Sequence, residues 1–175
     1  LHAAAARGKL DSCKLLVGEA RADLNARDKF GCTPLCRAAG AGHLHVVRWF
    51  LENAIGQGGT RADENVTSFW KAGLLHFAAE GGHVDVCRYL LLHRNADVLA
   101  QTHSLETPYH VMCRNCPVTR REQTLISMRN MIHEYVKLAM NEGIAALDSN
   151  LDGVDEEEAM LLHRIIIAKQ VDGLH

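Results

Sequence analysis

An all-α solenoid of about four helix pairs, joined by extended fingers, is the fold class this 175-residue sequence predicts, and three observations predict it. First, a ten-residue phrase recurs. LHAAAARGKL at 1–10 aligns with LCRAAGAGHL 34 residues on, with LHFAAEGGHV 40 further, and with YHVMCRNCPV another 34 later. Second, a loop marker keeps the same intervals, as ADLN at 22–25, ADEN at 62–65 and ADVL at 96–99. Third, each unit holds two helices shorter than about 12 residues, which are marginal alone and cover their apolar faces only when neighbours stack.

Taken in order, residues 1–20 read as a helix pair that lacks its preceding turn. The sequence opens at Leu1-His2, midway through a unit, with no starting Met and no signal segment, so it says little about location. In the second unit Thr33-Pro34 joins a hydroxyl cap to a proline at the helix start, where its missing N–H costs nothing. Ala38 and Ala39 let inner helices approach, Gly42 releases the chain, and Val46, Val47 and Phe50 line the second helix. NAIGQGGT at 53–60 reads as a flexible extension. The third unit has Gly73-Leu74 in place of Thr-Pro, which predicts a less sharply started helix. In the fourth, Leu105 replaces Gly, Met112-Cys113 replaces Ala-Ala, and Cys116-Pro117 replaces Gly-His, so the pattern ends near 117. Leu35, Ala39, Val47, Leu75, Ala79, Cys87 and Leu91 are expected among the most buried side chains. Beyond the repeats, 120–142 reads as one longer helix, and an apolar helix is expected over about 155–170.

The stretch 28–50, DKFGCTPLCRAAGAGHLHVVRWF, carries D-x-x-G-x-T-P-L, then Ala-Ala, Gly-His and Val-Val. It resembles one ankyrin repeat nearly position by position, and the resemblance extends over residues 1–117. It implies an ankyrin-repeat domain at 1–117 with a C-terminal helical extension at 118–175. It also implies that His2, His76 and His110, at one register position, and His43 and His83, at another, hydrogen-bond to neighbouring backbone groups. A protein partner or larger protein complex is expected, without enzymatic activity.

Composition narrows the classes further. Apolar residues make up 47% of the chain, which argues against disorder, and no run of eighteen apolar residues suggests a transmembrane segment. A net charge of -2 gives no reason to expect nucleic acid. The six cysteines do not form a disulfide scaffold. Cys13 and Cys87 take positions where Val is usual, and they read as small buried hydrophobes in a reducing intracellular compartment.

Two constellations could carry metal chemistry. DSNLDGVDEEE at 148–158 looks like an EF-hand loop shortened by one residue, with Asp148, Asn150, Asp152, Asp155 and Glu158 as the calcium ligands of the alternative reading. The missing residue displaces Glu158, so a helix-loop-helix without a tightly held ion is expected. If the loop does bind calcium, the protein is a calcium-responsive adaptor. Cys113-x-x-Cys116, with His103 and His110 nearby, has zinc-like or redox-like spacing, but the two thiols stand at register positions that need not converge. No metal and no cofactor is therefore expected. No P-loop, dinucleotide glycine pattern or HExxH motif occurs.

What remains is surface. In proteins like this, partners contact finger tips and the exposed face of the inner helices. The matching positions are Arg27, Lys29 and Phe30, then Ser68, Phe69, Trp70 and Lys71, then Thr102, His103 and Ser104. Phe69-Trp70 stands out, because aromatic anchors are enriched at interface hot spots. The competing reading folds Trp70 back over the glycine-rich extension.

Overall fold

The computed structural model describes residues 1–115 except Asn95 and Leu99, with the side chains of Gln57, Cys113 and Asn115 also outside the description. The readings of Cys116, of both C-terminal helices and of the acidic loop 148–158 lie outside the described residues.

The described elements are α-helices α1 (His2–Ala6), α2 (Leu10–Gly18), α3 (Pro34–Gly40), α4 (Leu44–Arg48), α5 (Leu74–Glu80), α6 (Val84–Arg94) and α7 (Pro108–Asn115). None of the described residues is in a strand. The first helix of each unit packs on the first helix of the next, α1 on α3, α3 on α5 and α5 on α7, with α4 against α6 behind them. This is the nearest-neighbour stacking that the repeat spacing predicts.

Local chemistry sets the helix starts. Thr33 Oγ1 accepts the Cys36 N–H at 3.4 Å, and Pro34 follows as the first helical residue of α3. At the third unit the sequence predicts a blunter start, yet α5 begins at Leu74, the register position of Pro34. His76 makes the difference: its Nδ1 accepts the Gly73 N–H at 3.2 Å, so a side chain three residues inside the helix supplies the missing cap. α4 continues into a π-helical turn, Trp49–Asn53, and a 3-10 turn lies at Gln57–Gly59 in the extension. Small residues set the spacing between inner helices. Ala38 and Ala39 in α3, and Ala78 and Ala79 in α5, are buried, while Leu35 and Leu75 fill the recurring core position. Val46, Val47, Cys87 and Leu91 close the inner side of the second row, each contributing through burial. Cys13, Cys32, Cys36 and Cys87 are buried free thiols, and burial pushes Cys32 up to about 11 and Cys87 up to about 12.

Two series of histidines strap the units together. In the first, His2 Nε2 donates forward to the Cys32 carbonyl at 2.9 Å, and His76 Nε2 to the Glu106 carbonyl at 3.2 Å. In the second, His43 Nε2 donates backward to Ala6 at 3.1 Å and His83 Nε2 to Gly40 at 3.1 Å. His45 adds a bond to the Gly8 carbonyl at 3.0 Å. His110 bonds locally, its Nδ1 accepting from the Thr107 hydroxyl at 2.7 Å.

The forward series has a gap at Cys36, the second unit's equivalent of His76. There the Thr33 hydroxyl meets the thiol at 3.4 Å, and the carbonyl that a histidine would reach, Ala72, accepts the Ser68 N–H of its own finger. Cys36→His is expected to restore the strap and raise stability by about 1 kcal/mol. Urea unfolding checks it, and a lower midpoint would mean the ring cannot enter the slot.

His76 also makes the fold acid-sensitive. Burial, outweighing the carbonyl of Glu106 beside it, holds this imidazole below its ordinary value. Below about pH 6.5 the unfolded chain takes up a proton that the folded chain resists. The stabilisation is thus complete above that pH and declines as pH falls through it. His76→Ala should cost about 1–3 kcal/mol at neutral pH by leaving the Gly73 N–H and the Glu106 carbonyl short of a partner. Unfolding midpoints measured from pH 7.5 to 5.5 should fall less steeply for His76→Gln than for the parent, and equal slopes would refute the assignment.

Candidate functional site

Each finger turns through one four-residue tip, at 28–31, 68–71 and 102–105, and the four positions have different duties. The first is an anchor. Asp28 Oδ1 accepts the N–H groups of Phe30 at 2.8 Å and Cys32 at 3.0 Å. Ser68 Oγ accepts those of Trp70 at 3.3 Å and Ala72 at 3.2 Å, and Thr102 Oγ1 accepts that of Glu106 at 3.2 Å. Ser68 and Thr102, which sequence spacing groups with the contact positions, are accordingly buried. Their short hydroxyls satisfy the turn rather than face outward.

The second position joins fingers to each other. Phe69 N–H donates to the Phe30 carbonyl at 3.2 Å, and His103 N–H to the Trp70 carbonyl at 2.9 Å. Asn25 ties the finger bases, its Nδ2 donating to the Arg61 carbonyl at 2.9 Å and its Oδ1 accepting the Asp63 N–H at 2.8 Å. The third position carries the rings: Phe30 and Trp70 lie with centroids 5.8 Å apart and planes tilted by 31°. Trp70 thus leans on the preceding finger.

The fourth position has a left-handed backbone in all three fingers. Gly31 has φ +76°, and a Cβ there would sit 2.7 Å from Phe69 Cδ1, so only glycine lets that ring lie across the first tip. Lys71 and Leu105 hold the same conformation with full side chains, at φ +63° and +61°. Non-glycine residues there cost roughly 1–2 kcal/mol each.

Electrostatics at the tips are set by which charges are engaged. Burial opposes ionisation of Asp28, but hydrogen bonds from Arg37 and from the Phe30 and Cys32 N–H groups outweigh it and hold the carboxyl below its usual range. Arg37 grips the other oxygen of Asp28, with Nε at 2.8 Å. Glu106 pairs with Arg114. Arg27, read from sequence as a contact residue, donates from one nitrogen to the carbonyls of Gly31 at 3.4 Å and Thr67 at 2.9 Å, bridging two fingers. The Lys29 ammonium stands 4.9 Å from the centre of the Phe30 ring, and Lys71 is exposed.

The outcome is a run of uncovered apolar side chains along three successive tips: Phe30 is 37% exposed, Phe69 61%, Trp70 55% and Leu105 71%. From the sequence, Leu105 reads only as a lost glycine and is not among the expected contact positions. Its signal was present, since a large apolar residue at a left-handed tip position has little to gain from the fold itself. Among the described residues, no group of three or more His, Cys, Asp or Glu side chains is placed to hold a metal, and no helix is long and apolar enough to cross a membrane.

Comparison with known proteins adds two findings. The family model for ankyrin repeats (3 copies) matches residues 1–102. A stretch of 52 residues is 40% identical to the 26S proteasome non-ATPase regulatory subunit 10 of Dictyostelium discoideum, covering 30% of this chain and 22% of that protein. The match thus spans about a fifth of that relative's length.

Proposed function

The chain belongs to the ankyrin-repeat family, and from that membership we propose that it is a non-enzymatic protein-binding or assembly subunit that holds a protein partner by its finger tips. Ankyrin repeats generally mediate protein–protein interaction. The observation that carries the reading here is the conformation of Lys71 and Leu105. Each occupies backbone that glycine would occupy at lower cost, and each leaves its side chain exposed to solvent. Strain of this kind, with no gain in packing to offset it, is characteristic of residues kept for contact. In this reading residues 1–117 are the repeat domain, and the extension at 118–175 closes the array or joins it to a complex. The Dictyostelium relative is named as a regulatory subunit, which fits this class of role.

Leu105→Gly separates contact from stability. The variant should unfold about 0.5–1 kcal/mol later than the parent, through relief of the left-handed leucine. It should also recover less of whatever protein co-purifies with the parent under gentle conditions, as should Trp70→Ser. A variant equally stable and equally able to retain its partner would count against the finger tips as the binding surface.

A further inference from the structure

The chemistry of the tips specifies the partner more narrowly than the family does, and this step rests on the finger-tip reading above. Four exposed apolar side chains, Phe30, Phe69, Trp70 and Leu105, run across three fingers. The acidic residues among them already have partners within the chain, Asp28 in Arg37 and two backbone N–H groups, and Glu106 in Arg114. The lysines are placed otherwise. Lys29 lies along the Phe30 ring with its ammonium 4.9 Å from the centroid, and Lys71 projects from a tip where a glycine would suffice. The tips therefore present exposed apolar side chains together with two lysines, Lys29 on the first finger and Lys71 on the second, on a chain whose overall charge is -2. Complementarity across an interface places opposite charge against such lysines and apolar groups against the exposed rings.

We infer that the finger tips take an acidic, apolar-rich segment of a partner protein, its large side chains against Phe69, Trp70 and Leu105 and its carboxylates against Lys29 and Lys71. Neighbouring fingers are joined by the Phe69-to-Phe30 and His103-to-Trp70 backbone bonds, so these side chains form one run and suit a segment that crosses the fingers. The lysines act chiefly on selection. Removing their charge weakens salt-dependent capture, whereas removing the rings weakens binding of every peptide.

Display selection from a random twelve-residue peptide library on the full chain tests this, with the selected peptides then synthesised and their affinities measured by fluorescence anisotropy. Peptides rich in Asp or Glu together with Phe, Leu or Trp should be enriched. Their affinity should fall about tenfold when the acids are changed to the amides, and by a similar factor for Lys29→Glu/Lys71→Glu. Selection on that charge-reversed variant should instead enrich basic, apolar peptides. Enrichment of neutral apolar peptides that Trp70→Ser weakens but charge reversal leaves alone would overturn the acidic partner and leave the finger-tip surface standing. Peptides insensitive to Trp70→Ser and Leu105→Gly would overturn both, and failure to enrich acidic over neutral peptides counts against the inference. A single-stranded oligouridylate that displaces the acidic peptides at equal concentration would assign the tips to nucleic acid instead.

Discussion

Replacing Gly42 by alanine should remove about 2–5 kcal/mol of stability, which is a large share of what an array this size holds. Two penalties meet at this position. The backbone has φ +76°, where an L side chain is strained by roughly 1–2 kcal/mol. A Cβ would also fall on the ring of His83, the histidine that straps the third unit back to the Gly40 carbonyl. Overpacking of that kind costs roughly another 1–3 kcal/mol. Gly58 separates the two contributions, since it has φ +66° with nothing within 4 Å of the added carbon. Gly58→Ala should lose only the strain. Adding His83→Ala to Gly42→Ala should recover the clash portion in a double-mutant cycle of urea denaturations. If Gly42→Ala and Gly58→Ala prove equally mild, the histidine is not seated on the glycine as described.

Phe50→Ala should cost about 3–5 kcal/mol, and Phe50→Leu markedly less. Phe50 is the largest fully buried side chain among the described residues, and it sits in the π-helical turn that ends the second unit's outer helix. Its ring meets Trp49 edge-on with centroids 5.1 Å apart. Truncation leaves a cavity lined by atoms that the interlocked turn cannot bring together, so the transfer and cavity contributions add. Thermal and urea unfolding measure it. A loss below about 1 kcal/mol would show that the turn relaxes to fill the space.

How far residues alone disclose this molecule depends on the range of the interaction. The register that places Leu35, Ala39, Val47, Leu75 and Cys87 in the core is readable, because each unit repeats the same burial at the same interval. The straps at His2 and His76 follow from the same spacing together with the family resemblance. The sharp start of α5 does not, because the cap comes from His76 Nδ1, three residues inside the helix, while sequence rules look for a hydroxyl ahead of it. The π-helical turn after Arg48 leaves no trace in an apolar pattern designed for helices of ordinary pitch. At the tips, sequence separates polar from apolar residues but cannot tell an outward hydroxyl from one turned in to satisfy its own turn. The sequence alone therefore groups Ser68 and Thr102 with the contact positions and leaves Leu105 out.

The straps also bear on how the chain finds its fold. His2 reaches 30 residues along the sequence, His43 and His45 reach 37, His83 reaches 43, and the Asn25 link spans 36. Every one of these closures is of similar length, so each carries a similar entropic cost, which rises only slowly with loop size. Among the described residues, none of these pairings has to wait for a distant segment of the chain. Once two adjacent units have docked, the third adds by closing one further loop, and its addition is downhill if its interface outweighs its own ordering. Folding rate is then governed by the first docking event, and lengthening the array by a unit adds steps after the barrier instead of raising it.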